Sequence, residues 1–187
     1  MSSVGALLLA PGAGADRDHH TLVAVEQSVA PVPVERMDFP SKKAGKKAPD
    51  RAPVAIAAVV EEAAELVARS RIRANRLALG GRSFGGRMCS LAVADGLPAA
   101  GLVLLSYPLH PPGKPEKLRV DHFESIRVPC LFIGGVKDPF GTPDEFAEQT
   151  SRIVGDVMHV WLPGGHDPRN CDELIALEVR NWLKSLR

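Results

Sequence analysis

The sequence predicts an α/β protein with a mostly parallel sheet of about six strands and helices on both faces. Short apolar runs alternate along the chain with longer segments in which apolar residues recur at helical spacing. Strands joined through helices become parallel, because each crossover returns the chain to the same end of the sheet. The runs are also continuously apolar, which is typical of strands covered on both faces.

The predicted elements follow one another without an internal repeat or a linker, so residues 1–187 are predicted to form one domain. The predicted strands cover residues 6–10, 34–39, 76–81, 100–108, 128–135 and 156–164, and the predicted helices cover residues 19–29, 54–69, 84–96, 142–154 and 171–186. Thr142 and Glu145 match the S/T-x-x-E capping pattern at the start of one helix.

The segment 41–51 carries four lysines and precedes the clearest helix, which is rich in alanine, glutamate, leucine and valine. We expect Asp50 to cap that helix and Pro53 to lie in its first turn. The lysine-rich segment is predicted to be a charged surface loop. An anion-binding site is the alternative interpretation.

Composition excludes some classes of partner. With 45% hydrophobic residues and a formal net charge of +1, the chain is globular and nearly neutral, which argues against nucleic acid or an anionic membrane as its main partner. Cys89, Cys130 and Cys171 lack metal-ligand spacing. We therefore expect reduced thiols in a cytoplasmic protein that needs no cofactor or metal.

The amino-terminal stretch MSSVGALLLAPGAGA contains an apolar run that could be mistaken for a secretory signal. It lacks a positively charged start, and the run 4–10 is barely long enough for the apolar core of a signal peptide. A buried strand followed by a glycine-containing loop explains it better. No other run approaches the ~20 apolar residues that a membrane span needs, so no membrane association is expected.

The stretch GGRSFGG at residues 80–86 is the strongest chemical signal in the sequence. Residues 81–85 match G-x-S-x-G, and the predicted strand before and helix after them give the context of a nucleophile elbow. In such an elbow the serine takes a strained conformation, and Gly81 and Gly85 let strand and helix pass closely. The helix N-terminus directs N–H groups to the site, which favours a developing oxyanion.

Two other interpretations of these glycines remain open. One is a glycine-rich strand-to-helix turn that binds phosphate. The other is a dinucleotide site, but its glycine fingerprint belongs after the first strand, where PGAGAD lacks a third glycine at the required place.

A serine nucleophile needs a general base that is oriented by an acid. Asp138 and His166 follow later predicted strands, in the chain order Ser, Asp, His. Ser83 would attack an acyl carbonyl, His166 would take and return the proton, and Asp138 would hold the imidazole. Asp167 competes for the acid role. The alternative interpretations are that Asp138 only caps a turn and that His166 only lies in a surface loop.

The same sheet edge should supply the rest of the site. Backbone N–H groups of Ala13 and Phe84 are the candidate oxyanion donors, with Gly14 as the fallback and as a candidate substrate contact. Tyr107 and His110 end the strand after the elbow strand, so we expect them to rim the substrate pocket.

Other polar residues near these loops are predicted to have lesser roles. His19 and His20 should start a helix, and no further ligands at helical spacing accompany them, so metal binding is not expected; substrate contact is the alternative. Arg82 and Arg87 flank the serine and could bind a substrate carboxylate, although a solvent-facing role is preferred. Cys89 lies one turn into the helix that follows Ser83, and we expect it to be a packing residue.

The segments LALGGRSFGGRMCS, SYPLHPPGKPEKLR, FIGGVKDPFG and GGHDPR resemble small α/β-hydrolases of the dienelactone-hydrolase-like, testis-expressed protein 30-like group. The resemblance spans nearly the whole chain and implies a minimal α/β-hydrolase fold without a cap domain. It also implies a triad of Ser83, Asp138 and His166. The chain departs from dienelactone hydrolases proper, which use a cysteine nucleophile, and it has Pro11-Gly12 where many members have His-Gly.

The hypothesis from sequence is a serine hydrolase that cleaves a small carboxylic ester or thioester. One alternative is a non-catalytic interaction protein that keeps the fold, since the resembled group is related to a subunit of the NSL chromatin complex. The other is acyl transfer to an alcohol other than water. A small-molecule ester is the expected partner, and a homodimer is left open.

Overall fold

The computed structural model describes residues 4–186 and contains one sheet in the order β2-β1-β3-β4-β5-β6, with every neighbouring pair parallel. The strands are β1 (Ala6–Ala10), β2 (Val34–Arg36), β3 (Leu77–Arg82), β4 (Gly101–Leu105), β5 (Cys130–Gly135) and β6 (Val157–Leu162). The helices are α1 (His20–Val29), α2 (Pro40–Lys43), α3 (Ala52–Ser70), α4 (Phe84–Ala94), α5 (Pro143–Thr150) and α6 (Asp172–Ser185). The predicted α/β fold is confirmed.

Two hydrophobic clusters cover the two faces of the sheet. Residues from α3, α4 and α5 form one cluster, and residues from α1 and α6 form the other. Strand β1 shows why the apolar runs are continuous, because Leu8 belongs to the first cluster while Leu7 and Leu9 belong to the second. Both faces therefore need apolar side chains. Cys89 is fully buried in the first cluster, as predicted for a packing residue.

The structure departs from the sequence prediction around the lysine-rich segment. Its first three residues, together with Pro40, form the short helix α2. Asp50 does not cap α3: the N-cap residue is Arg51, without a side-chain hydrogen bond, and Asp50 Oδ2 instead accepts from the Ser41 N–H at 2.8 Å. The aspartate stabilises the loop before the helix, a tertiary contact that capping rules cannot anticipate.

The other predicted helix start is confirmed. Thr142 and Glu145 form a full capping box at α5, with the side chain of each bonded to the backbone of the other. Strand β2 is shorter than predicted, although the Met37 N–H beyond it still donates to the Leu9 carbonyl at 3.0 Å. Within residues 4–186, no helix is long and apolar enough to span a bilayer.

Candidate active site

The turn between β3 and α4 holds Ser83 in a backbone conformation that L-residues rarely adopt. Its φ is 51° and its ψ is −115°, and Phe84 begins the helix immediately after it. The Ser83 N–H donates to the Leu105 carbonyl at 2.8 Å, which ties the turn to β4. Non-glycine residues at such angles cost about 1–3 kcal/mol and cluster at functional sites.

Two glycines allow this turn because the backbone of β1 passes directly beside it. A Cβ atom added at Gly81, whose φ is 154°, would lie 2.0 Å from the Ala10 carbonyl oxygen, and one at Gly85 would lie 2.3 Å from the same atom. Such distances are far below contact, so any side chain would push β1 and α4 apart. The glycines of the G-x-S-x-G motif are therefore required by packing.

His166 connects Ser83 to Asp138 in a continuous hydrogen-bonded relay. Its Nε2 lies 2.8 Å from Ser83 Oγ and its Nδ1 lies 2.8 Å from Asp138 Oδ2. An ionised carboxylate only accepts hydrogen bonds, so Nδ1 carries the proton and the Nε2 lone pair faces the hydroxyl. Sequence analysis named all three residues, and the structure brings them together.

Neighbouring groups hold the Asp138 carboxylate and the His166 imidazole in place. The Asp138 side chain is only 3% exposed, and its second oxygen accepts from the Phe140 N–H at 2.9 Å. The Phe140 ring lies against the His166 imidazole, with 4.2 Å between ring centroids. The imidazole is thus held on one side by an aromatic ring and at one end by a buried carboxylate.

Arg82 clamps the loop that carries the histidine. Its Nη2 donates to the His166 carbonyl at 3.0 Å and lies 2.9 Å from Asp167 Oδ1. Its side chain is 12% exposed, so the solvent-facing role preferred from sequence is wrong. Asp167 pairs with this guanidinium, whereas the His166 ring bonds to Asp138. Because these contacts of Arg82 are tertiary, no local sequence motif could have revealed them.

The loop after β1 approaches the serine from the other side. A Cβ at Gly12 would lie 3.7 Å from Ser83 Cβ, and Ala13 and Phe84 both line one narrow recess. Phe84 is the first residue of α4, so its N–H has no acceptor within the helix. Gly14 lines a larger pocket next to this recess. The two candidate oxyanion residues thus share one cavity.

Tyr107 and His110 are buried and contact other parts of the chain. Tyr107 is 1% exposed, and its hydroxyl donates to the Arg119 carbonyl at 3.0 Å. His110 is 5% exposed, with its Nε2 3.3 Å from Glu145 Oε1. The structure gives neither residue a contact with the relay, and substrate contact stays a prediction for both.

His19, His20 and Asp167 form the one described group whose ligand atoms lie close enough to share a metal ion, within 4.8 Å of one another. The two imidazole rings stack with centroids 4.3 Å apart, and His20 Nδ1 lies 2.6 Å from Asp172 Oδ2. Burial, followed by the charge of Arg82, lowers the pKa of His19. Helical spacing could not reveal this group, because Asp167 comes from the loop after β6.

Comparison with known proteins assigns the family. A sequence model described as "alpha/beta hydrolase domain" matches residues 3–173. The chain belongs to the alpha/beta hydrolase family. This confirms the superfamily that the sequence motifs resemble.

Solved structures of other proteins share the fold of this α/β-hydrolase. A protein of the alpha/beta superfamily from Xanthomonas campestris is 18% identical, covers 100% of both chains and superposes with a TM-score of 0.72. Est1E from Butyrivibrio proteoclasticus, solved with ferulic acid, is 17% identical over 98% of this chain and 90% of its own, with a TM-score of 0.71. The type II thioesterase BorB from the borrelidin biosynthetic cluster is 16% identical over 98% and 96%, with a TM-score of 0.69.

Proposed function

We propose that this α/β-hydrolase is a serine hydrolase that cleaves a small carboxylic ester or thioester through an acyl-enzyme. The observation that carries the proposal is the position of His166, whose two ring nitrogens each lie 2.8 Å from their partners, Ser83 Oγ and Asp138 Oδ2. A serine becomes a nucleophile when a neutral imidazole can take its proton and a carboxylate stabilises the resulting cation.

The first half of the reaction follows from the direction of these hydrogen bonds, in which Ser83 donates to His166 and His166 donates to Asp138. Ser83 Oγ attacks the acyl carbonyl carbon as its proton passes to His166 Nε2, and the carbonyl oxygen becomes an oxyanion. The N–H groups of Phe84 and Ala13 would donate to that oxyanion, and each such donor is worth about 3–4 kcal/mol of barrier. Collapse of the tetrahedral intermediate breaks the bond to the leaving alcohol or thiol, which takes the proton from Nε2.

Water completes the cycle by the same route in reverse. It gives a proton to His166 Nε2 and attacks the acyl carbon, and Ser83 leaves with that proton. Asp138 keeps its negative charge throughout and stabilises the imidazolium twice in each turnover. Ester and thioester chemistry is favoured because a carboxylesterase from Bacillus cereus and the type II thioesterase BorB share this fold.

Labelling with a fluorophosphonate probe tests the proposal directly. We expect the wild-type protein to react with one equivalent, with the adduct mapped by mass spectrometry to the peptide that contains Ser83, and we expect Ser83→Ala to stay unlabelled. Ser151→Ala is the matched control, since Ser151 is exposed on the far end of α5 and its hydroxyl bonds to the Glu148 carbonyl. A wild-type protein that does not react would favour the non-catalytic alternative.

Hydrolysis of p-nitrophenyl acetate gives a second readout. The rate should depend on pH, because general-base catalysis uses only the unprotonated form of the base. A flat rate from acid to mildly alkaline pH would contradict a role for His166 as general base.

A further inference from the structure

A pocket of about 410 Å³ opens beside the loop that follows β1. Residues 13–15 line one side of it, and the lysine-rich segment lines the other with Ser41, Gly45, Lys42, Lys46 and Lys47. Among the described residues that line the pocket, three are lysines and none is acidic. Its wall therefore carries positive charge and exposed backbone.

This pocket adjoins the recess that holds the candidate oxyanion residues. The narrow recess that reaches Phe84 shares Ala13, Ala15, Ser41 and Lys42 with the larger pocket. An acyl carbonyl at Ser83 would lie at one end of this surface, with the lysines at the other. The unreacting part of a substrate bound at the serine would therefore lie on the same side of the molecule as the lysines.

The four lysines of the segment differ in how their charges are compensated. Lys42 Nζ lies 3.3 Å from Asp16, and Lys43 Nζ lies 2.8 Å from Glu62 on α3. Lys46 and Lys47, both exposed, form no ion pair with any residue in the described part of the chain. Two ammonium groups at the pocket therefore lack a protein counter-charge.

The backbone of this segment is held in place by its own hydrogen bonds. The Gly45 N–H donates to the Lys42 carbonyl at 2.9 Å, and the Lys46 N–H donates to the Ser41 carbonyl at 2.8 Å. Asp50 fixes Ser41 from the other end of the loop. A loop closed in this way keeps Lys46 and Lys47 beside the pocket, which lowers the entropic cost of using them.

We propose that this lysine-lined pocket binds an anionic group, a phosphate or a carboxylate, on the unreacting part of the substrate. The inference rests on the proposed function and narrows it to anionic esters or thioesters. A concave wall of one charge sign also raises the local concentration of oppositely charged substrate, an effect that salt weakens.

Binding of inorganic pyrophosphate tests the pocket without any catalytic step. Titration calorimetry at low salt should show binding to the wild-type protein, and Lys46→Glu/Lys47→Glu should weaken it by about tenfold or more. Lys114→Glu/Lys117→Glu is the matched control, because it changes the net charge equally in an exposed turn outside the pocket. No binding at millimolar pyrophosphate, or equal weakening by the control, would overturn the proposal.

Two matched substrate pairs then locate the anion. Mono-p-nitrophenyl glutarate against p-nitrophenyl valerate places the charge on the acyl side, and acetyl-coenzyme A against S-acetyl-N-acetylcysteamine places it on the leaving group. In at least one pair, kcat/KM should favour the anionic member by about tenfold or more, and Lys46→Glu/Lys47→Glu should remove that preference.

The two proposals fail in distinguishable ways. Pyrophosphate binding without hydrolysis of any ester would refute the catalytic function and leave the anion site standing. Hydrolysis with no charge preference in either pair would refute the anion site and leave the catalytic function standing.

Discussion

Two serine–histidine pairs lie within this chain at the same heavy-atom distance. Ser83 Oγ and His166 Nε2 are 2.8 Å apart, and so are Ser90 Oγ and His122 Nε2. Both serines lie on or directly before α4. The two pairs differ in the tautomer of the histidine and in the placement of the serine.

In the pair of Ser90 and His122, the hydrogen bond runs in the wrong direction for general-base chemistry. Ser90 Oγ donates its proton to the Arg87 carbonyl at 2.8 Å, so it can only accept from His122, whose Nε2 must then carry a proton. Burial, with the nearby charge of Arg87, lowers the pKa of His122 to about 4. Ser90 itself is fully buried. This pair is a structural hydrogen bond in the interior.

The first pair is oriented by its acid. Because Asp138 fixes the proton on Nδ1 of His166, Nε2 accepts from Ser83, and the strained turn holds that serine at the start of a helix. Distance alone therefore does not distinguish a nucleophile from a core hydrogen bond. The tautomer of the histidine and the placement of the serine do.

The largest expected effect separates the two serines. Ser83→Ala should lower kcat for ester hydrolysis by about 10⁴-fold to 10⁶-fold. Ser90→Ala should leave kcat within about threefold and cost about 1 kcal/mol of stability, because it removes only an interior hydrogen bond. Steady-state kinetics and chemical unfolding measure both; comparable losses of kcat would erase the distinction.

The acid should be nearly as important as the base that it orients. Asp138→Asn favours the wrong imidazole tautomer and should lower kcat by about 10⁴-fold. Asp167→Asn is the matched change at the residue next to His166 and should cost about tenfold or less, since it weakens partly exposed contacts with Arg82, His19 and His20 and leaves the His166–Asp138 bond in place. Larger losses from Asp167→Asn than from Asp138→Asn would reassign the acid.

Arg82 should act as a positioning residue through the His166 carbonyl. Arg82→Lys removes the planar fork that reaches both the carbonyl and Asp167, and kcat should fall by about tenfold to a hundredfold with KM little changed. A change in the pH profile of kcat should accompany the loss, because the imidazole is less well oriented. An unaltered profile together with a raised KM would indicate substrate binding instead.

The interior pair should make stability depend on pH. Folding holds the pKa of His122 near 4, below the 6.5 of an unperturbed histidine, so the unfolded chain binds the proton more readily. Stability from this site is present above pH 6.5 and is lost as the pH falls towards 4. Urea unfolding at several pH values measures this, and His122→Gln should flatten that part of the curve.

The smallest expected effect concerns backbone strain. Ser83→Gly removes the cost of a positive φ and should raise the free energy of unfolding by about 1 kcal/mol, whereas Ser90→Gly, in the middle of α4, should lower it by about the same amount or more. Thermal unfolding of the two variants gives the comparison. A destabilised Ser83→Gly would show that the turn is not strained.

Periodicity and motifs predicted the strands, most helices and the residues of the relay, because these depend on local apolar patterns and on turns with fixed glycine positions. Local patterns could not predict the residues that surround the relay. The contact of Arg82 with Asp167 and the approach of Asp167 to His19 each join segments that are distant in sequence, and the Asp50–Ser41 contact closes a loop whose shape no local rule gives. Tyr107 illustrates the same limit, since its place at a strand end is local but its burial depends on Phe123 and Phe132 packed around it.

Strand β3 is flanked by β1 and β4, so Ser83, the proposed nucleophile, is anchored in the middle of the sheet, while His166 lies in the loop after the edge strand β6. Edge loops open at a lower free energy than central strands, which open only when the whole domain unfolds. Mild denaturant should therefore inactivate the protein reversibly before the sheet melts, by releasing the imidazole while the serine is still in place.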